Sequence, residues 1–116
     1  MLSKNKIEGK DQVHIKILFW RVFAGSKGCV NRVKIILELK ETPLNTNQIS
    51  RQLQIDYKVV ERHLQALEKY GLVIKVGGGY GTIYLLSPLV ESNLNLLDEV
   101  YSKSKNCIDD SPINLS

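Results

Sequence analysis

Residues 45–86 constrain this chain more than any other stretch, because two helical patterns meet there with almost nothing between them and lead straight into a glycine-tipped hairpin. Thr46 suits a helix N-cap, and Ile49 and Leu53 fall four apart on one face of the helix that follows. Only Gln54-Ile55 separates this helix from Asp56, a second cap whose carboxylate can accept a backbone N–H. Ile55 is expected to plug the corner. In the longer helix, Val60, Leu64 and Leu67 step by four and three, which sets its inward side. Gly71, just past Tyr70, stands where a left-handed helix stop is needed. Leu72-Val73-Ile74 and Thr82-Ile83-Tyr84-Leu85-Leu86 then read as strands, with Gly77-Gly78-Gly79 as a flexible tip. The glycine run does not read as a phosphate cradle. It lacks the Lys-Ser/Thr ending and precedes a strand, not a helix.

The flanks add terminal helices. Residues 1–11 are polar and read as a flexible N-terminal tail, residues 12–103 as the folded domain, and 104–116 as a C-terminal tail. Ile15, Leu18, Phe19, Val22 and Phe23 recur at helical spacing, although Val13-His14-Ile15-Lys16-Ile17 alternates like a strand and leaves the first turn open. Ala24-Gly25-Ser26-Lys27-Gly28 breaks the pattern. A second helix over about 29–40 turns Val30, Val33, Ile36 and Leu37 inward and Arg32, Lys34, Glu38 and Lys40 outward, and Thr42-Pro43-Leu44 ends it. Ser87-Pro88 opens a last helix, with Glu91 in its first turn.

That helix carries two apolar rows. Val90, Leu94, Leu97 and Tyr101 form one, and Leu89, Leu96 and Val100 the other. Leaving the second row wet would forgo several kcal/mol, at about 1.5–3 kcal/mol for each large apolar side chain. Either both rows pack on the first helix of the same chain, or a symmetric partner covers one of them. The second reading makes Leu18, Phe19, Leu89, Val90, Leu94, Leu96, Leu97, Val100 and Tyr101 a homodimer interface.

Size and composition exclude several classes. With 116 residues the chain can build a core without metal or disulfide staples. No stretch reaches membrane-spanning length, no apolar run sits in secretory position, and a cytoplasmic location is expected. Cys29 and Cys107 lack the spacing of a zinc site, and intracellular thiols stay reduced, so Cys29 reads as a small helix-start residue. The sharper alternative is a redox or metal sensor. His14 and His63 are isolated, so no metal or other cofactor is expected. Nothing at readable spacing resembles paired carboxylates, an activated serine or a cysteine–histidine arrangement, which argues against an enzyme. The net charge of +4 is uneven: residues 1–40 carry nine Lys/Arg against three Asp/Glu, and residues 87–116 carry two against five. A basic front and an acidic back favour an oriented approach to a polyanion.

The chain resembles the archaeal and bacterial winged-helix transcription regulators of the ArsR-like and MarR-like kind over about residues 18–102. The resemblance rests on Asn31-Arg32-Val33-Lys34-Ile35-Ile36, Asn47-Gln48-Ile49-Ser50, Asp56-Tyr57-Lys58-Val59-Val60-Glu61-Arg62-His63-Leu64 and Leu67-Glu68-Lys69-Tyr70-Gly71-Leu72-Val73. It implies an α+β, mainly α, winged helix-turn-helix with a two-stranded β-wing and a C-terminal dimerisation helix. Such proteins are typically two-fold dimers. Metal-sensing members often place cysteines in the helix before the recognition helix, and residues 47–53 contain none.

On this reading the chain is a homodimeric regulator, by preference a repressor, of double-stranded DNA with a pseudo-palindromic operator. A protein-interaction adaptor within a larger assembly is the alternative. The recognition helix turns Tyr57, Lys58, Val59, Glu61, Arg62 and Gln65 outward. Arg62 is the first choice for a base contact, since its planar fork matches guanine O6 and N7. Lys58 and Tyr57 suit phosphate or a base edge, and Gln65 adenine or phosphate. Asn47, Gln48 and Arg51 would hold the backbone, and Lys75 and Tyr80 would flank the wing tip at the minor groove. Arg32 and Lys34 are either further phosphate contacts or solvated surface. His63 is ambiguous between packing and contact.

Overall fold

The computed structural model describes the backbone of residues 2–24 and 28–103, and side chains within 13–24, 28–79 and 81–103. Among the described residues the elements run α1 (Leu2–Phe23), α2 (Cys29–Glu41), α3 (Thr46–Leu53), α4 (Tyr57–Lys69), β1 (Val73–Val76), β2 (Ile83–Leu86), α5 (Pro88–Glu91) and α6 (Leu94–Lys103). The architecture is mainly helical with a two-stranded sheet, a winged helix-turn-helix. The chain divides into two compact units, one holding α1 and α6 and the other Asn31–Leu94.

In the second unit the helix ends are chemically specified. The N-cap of α3 is Asn45, one residue before the expected Thr46. Its side chain accepts the Gln48 N–H at 2.7 Å while Gln48 Oε1 accepts the Asn45 N–H at 2.8 Å. This reciprocal box satisfies two orphan donors at once, which the Thr46 hydroxyl would not do. Helix α3 stops at Gln54 in the left-handed region, φ 55, and the Ile55 N–H bonds Ser50 O at 3.1 Å. Asp56 caps α4 as expected, accepting the Lys58 N–H at 3.0 Å. At the far end the Leu72 N–H reaches Leu67 O and the Gly71 N–H reaches Glu68 O, both at 2.9 Å, with Gly71 at φ 75. These are the two bonds of a Schellman stop. Ile49, Val60, Leu64 and Leu67 are all fully buried, so the inward stripe reads as expected, while Ile55 is only half-buried.

The wing is a short antiparallel hairpin pairing Val73 with Leu86, Ile74 with Leu85, Lys75 with Tyr84 and Val76 with Ile83. Both strands are displaced from expectation: β1 runs to Val76 and β2 starts at Ile83. The tip is not a loose glycine loop. It closes through a 3-10 turn over Gly79–Gly81, with the Gly81 N–H on Gly78 O at 3.2 Å. A feature with no sequence signal also appears: Leu44 pairs with Tyr84 through two backbone bonds of 3.1 and 2.8 Å, so the α2–α3 linker forms a third rung on β2.

Gly77 makes the tip possible. It sits at φ 87, and a Cβ there would lie 2.5 Å from the Gly81 carbonyl oxygen. Gly78 has extended backbone, and a Cβ on it would meet nothing within 4 Å. Gly77→Ala is therefore expected to lower the thermal midpoint and speed amide exchange at Gly81, by about 1–3 kcal/mol from strain and clash together. Gly78→Ala should leave both within error.

In the unit of α1 and α6, Lys16 of α1 pairs with Glu99 of α6 at 2.6 Å, and Lys103 joins the same carboxylate at 3.4 Å. The lysines hold the Glu99 carboxyl below its ordinary pKa through the Lys16 hydrogen bond first. Phe19 and Phe23 stack edge to face at 5.5 Å in the buried part of α1. Helical backbone covers residues 2–11, which read as a tail from sequence; no proline interrupts it and the polar residues there are mostly good helix formers.

Three expectations need correction. The last helix is two helices, because Asn93 turns the chain. Its N–H bonds Val90 O at 2.9 Å and its side-chain Nδ2 donates to Leu89 O at 2.7 Å, a local alternative to helical pairing. The inner side of α2 is broader than one stripe: Ile35 and Leu39 are buried with Val33 and Ile36, while Val30 and Leu37 are half-buried. Cys29 is buried and disulfide-bonded, not a free thiol. The reduced state follows from compartment, a property that chain geometry does not encode. The other cysteine, Cys107, lies outside the described residues.

Both apolar rows of the C-terminal segment are satisfied within a single chain. Phe19, Val90, Leu96, Leu97, Val100 and Tyr101 are buried, and Leu18, Leu89 and Leu94 are half-buried. The buried members of this set are covered without a second copy, and the half-buried ones keep part of their surface open. What α1 does expose is a stripe at spacings of four and three: Val13 at 57%, Ile17 at 53% and Trp20 at 39%.

Candidate nucleic-acid interface

Helix α4 presents four distinct sides, all set by the buried stripe Val60, Leu64 and Leu67. Opposite the core lie Lys58, Arg62, Gln65 and Lys69, spaced four, three and four, and all exposed. Every one carries hydrogen-bond donors and three carry positive charge. The structure thus gathers three of the sequence candidates into one line. Lys69 is not among those candidates, because basic residues in a last helical turn ordinarily answer the helix dipole. Carrying the Lys58–Arg62 step on along the helix would have found it.

The flank nearest the wing is less basic. Tyr57, 45% exposed, and half-buried Glu61 share it with Glu68, and Tyr84 of β2 responds to all three. Burial raises the Tyr84 phenol above its ordinary pKa, and the Glu68 and Glu61 carboxylates add to the effect. Glu61 is therefore turned toward the wing, not toward the ligand side. Lys75 is the cross-strand partner of Tyr84 and exposed, so it stands on the same face of the hairpin as Tyr84. Ile74 and Val76 occupy the other face, at 38% and 46% exposure.

The remaining flank holds Val59, His63 and Ala66, all half-buried. Val59 thus withdraws from the contact surface it was expected to join. Here the Nε–H of Arg32, on α2, donates to His63 Nδ1 at 3.3 Å. Burial, then the charges of Arg32 and Arg62, holds His63 below the ordinary histidine pKa. The imidazole is neutral at pH 7 and accepts at Nδ1. Arg32 is accordingly engaged in the fold through its Nε–H, which leaves the terminal N–H groups of its guanidinium outside this bond.

On α3, Asn47, Gln48 and Arg51 are exposed, with Gln48 Oε1 already held in the capping box. The Gln48 amide donors and the second lone pair of Oε1 are the groups left for a ligand. The backbone of Tyr80 lies in the 3-10 turn of the wing tip, and its side chain is outside the described residues. No group of three or more metal-ligating side chains occurs among the described residues. No helix among them is long and apolar enough to cross a membrane.

A helix-turn-helix with a wing, whose outward stripe is Lys, Arg, Gln and Lys, defines the class of DNA-binding transcription regulators. Residues 29–75 match the family model described as "Bacterial regulatory protein, arsR family". That match spans α2 to the middle of β1 and leaves out the terminal helices. Among solved structures the chain is similar to "Reduced HlyU from Vibrio cholerae N16961", with a TM-score of 0.61 at 22% identity, covering 81% of this chain and 96% of that one. At that identity the likeness is one of fold. No curated protein matches the chain by sequence.

Proposed function

We propose that the protein is a sequence-reading regulator that binds double-stranded DNA as a homodimer and represses by occluding a promoter. The observation that carries this reading is the exposed line Lys58, Arg62, Gln65 and Lys69, set directly opposite the buried stripe of the second helix of a helix-turn-helix. A helix entering the major groove must offer donors on one side only, and the N-terminal part of this line supplies the base-reading types. Asn47 and Arg51 on α3 and Lys75 on the wing lie on elements that would reach adjoining backbone. A cytoplasmic location goes with this function.

The dimer rests on α1. Val13, Ile17 and Trp20 form an apolar stripe open to water, and a second copy would cover it in a two-fold arrangement where each residue counts twice. Two α4 helices about 34–36 Å apart would then read successive major grooves of a pseudo-palindrome. Ile17→Asp is expected to shift sedimentation equilibrium from dimer to monomer while the circular dichroism stays that of wild type. A variant that remains dimeric would remove α1 from the interface.

DNA reading itself is tested by fluorescence anisotropy with genomic-fragment and random duplexes across salt. Binding that favours some fragments and falls steeply with salt supports the regulator. Weak binding indifferent to sequence would instead favour a protein-interaction adaptor.

A further inference from the structure

We propose that Arg32 is a positioning residue for the DNA-reading helix: its Nε–H, donated from α2 to His63 Nδ1, sets the roll of α4 at which Lys58, Arg62, Gln65 and Lys69 face outward together. The proposal rests on the DNA-reading function above and deepens it.

The apolar stripe of α4 cannot do this alone. Val60, Leu64 and Leu67 are held by burial, which sets the inward side but carries no directional bond. On a helix about 10–12 Å across, a roll of roughly 20° carries an outer side chain by about 2 Å. Base reading tolerates far less, since a binding constellation must be held within about 0.5 Å and 10–20°. A hydrogen bond on the flank, one residue from Arg62, adds a directional restraint to that packing. Arg32 and His63 are 31 positions apart on separate helices, so their 3.3 Å contact fastens α4 to α2 rather than to itself.

The chemistry of the pair is one-sided. An arginine Nε always carries its proton, so His63 must accept at Nδ1 and carry its own proton on Nε2. The charged groups acting on the imidazole are Arg32 from α2 and Arg62 from α4, and both disfavour the protonated form that would break the bond. The bond therefore also selects a tautomer. That leaves the Nε2–H as a fixed donor on the flank next to the reading stripe.

The test measures the tautomer and the selectivity separately. Long-range proton–nitrogen NMR of the free wild type at neutral pH should show His63 in the Nε2–H form. Arg32→Lys keeps the charge but loses the planar Nε–H; it should release the tautomer preference. It should also cut the affinity ratio between a wild-type-selected genomic duplex and a random duplex by about threefold to thirtyfold, a coupling typical of directly contacting residues. Affinity for the random duplex should stay near wild type. His63→Asn, which keeps an acceptor close to the Nδ1 position, should preserve the ratio, and His63→Ala should lose as much as Arg32→Lys. The double variant Arg32→Lys/His63→Ala should lose no more than either alone. A wild type in the Nδ1–H form, or an Arg32→Lys protein with released tautomer and unchanged ratio, overturns the proposal. A wild type that prefers no duplex overturns the DNA reading instead, and with it the role of Arg32, whatever the tautomer.

Discussion

Leu64→Ala should lower the free energy of unfolding by about 2–5 kcal/mol, read as a fall in the denaturant midpoint at unchanged slope. Leu64 is 0% exposed and lies at the middle of the inward stripe of α4, between Val60 and Leu67. Truncation removes three carbons from contact and leaves a cavity that the capped, short-turned pair α3–α4 has little freedom to close. Caps at Asn45 and Asp56 and the stop at Gly71 fix both ends of the motif, so relaxation by sliding is blocked. Against a total stability of about 5–15 kcal/mol for a domain of this kind, such a loss is a large fraction. Gln65→Ala is the natural control. It removes a comparable side chain from the exposed neighbour position and should change stability by less than about 0.5 kcal/mol. Equal losses at the two positions would mean that α4 is rolled about its axis, with Gln65 brought into the core.

The parts of this molecule that sequence makes legible are those written locally. Asp56, the Val60–Leu64–Leu67 steps and Gly71 each encode one event within a turn or two of helix, and each occurs in the structure as read. The hairpin is legible in outline, since strand-forming residues flank the glycine run, but its strand ends and the 3-10 turn at its tip are not. Errors arise where a choice depends on a distant or competing partner. Thr46 and Asn45 are both capable caps, and the decision falls to Asn45 because only it can exchange bonds with Gln48. Leu44 has no strand signal of its own and pairs with Tyr84 because β2 offers it a free edge. Asn93 looks like one polar residue in a helical pattern until its side chain takes the Leu89 carbonyl.

The dimer surface shows the same limit in another form. Two apolar rows in the C-terminal segment signal that both are buried, but periodicity does not say by what. Leu96, Leu97, Val100 and Tyr101 are buried in the single chain, whereas Val13, Ile17 and Trp20 stay exposed. Those three are hidden in sequence because Val13-His14-Ile15-Lys16-Ile17 reads equally as a strand, which scatters the stripe over two faces. In the site the pattern repeats. The outward line of α4 follows from its period, whereas the engagement of Arg32 with His63 joins residues on different helices and is invisible to any local rule.

Arg62→Ala should weaken binding to a preferred duplex by about 1–3 kcal/mol and flatten the preference at the base pair it reads. The expectation follows from its place on α4. Arg62 is in the N-terminal half of the helix, exposed, and centred on the line from Lys58 to Gln65, where a groove-inserted helix comes nearest to base edges. Its fork offers two parallel donors to guanine, and no neighbour on that line can reproduce them. Lys69 shares the line and the charge but sits in the last turn, where a helix leaving the groove meets phosphate. Lys69→Ala should therefore lower affinity for every duplex by a similar factor and reduce the slope of log affinity against log salt by about one, with the preference intact. Anisotropy titrations of both variants against preferred and random duplexes separate the two roles. If Lys69→Ala erases the preference and Arg62→Ala does not, the helix enters the groove from its other end. The two substitutions thus measure the direction in which α4 approaches DNA, because selectivity must follow whichever end of the stripe lies deeper in the groove.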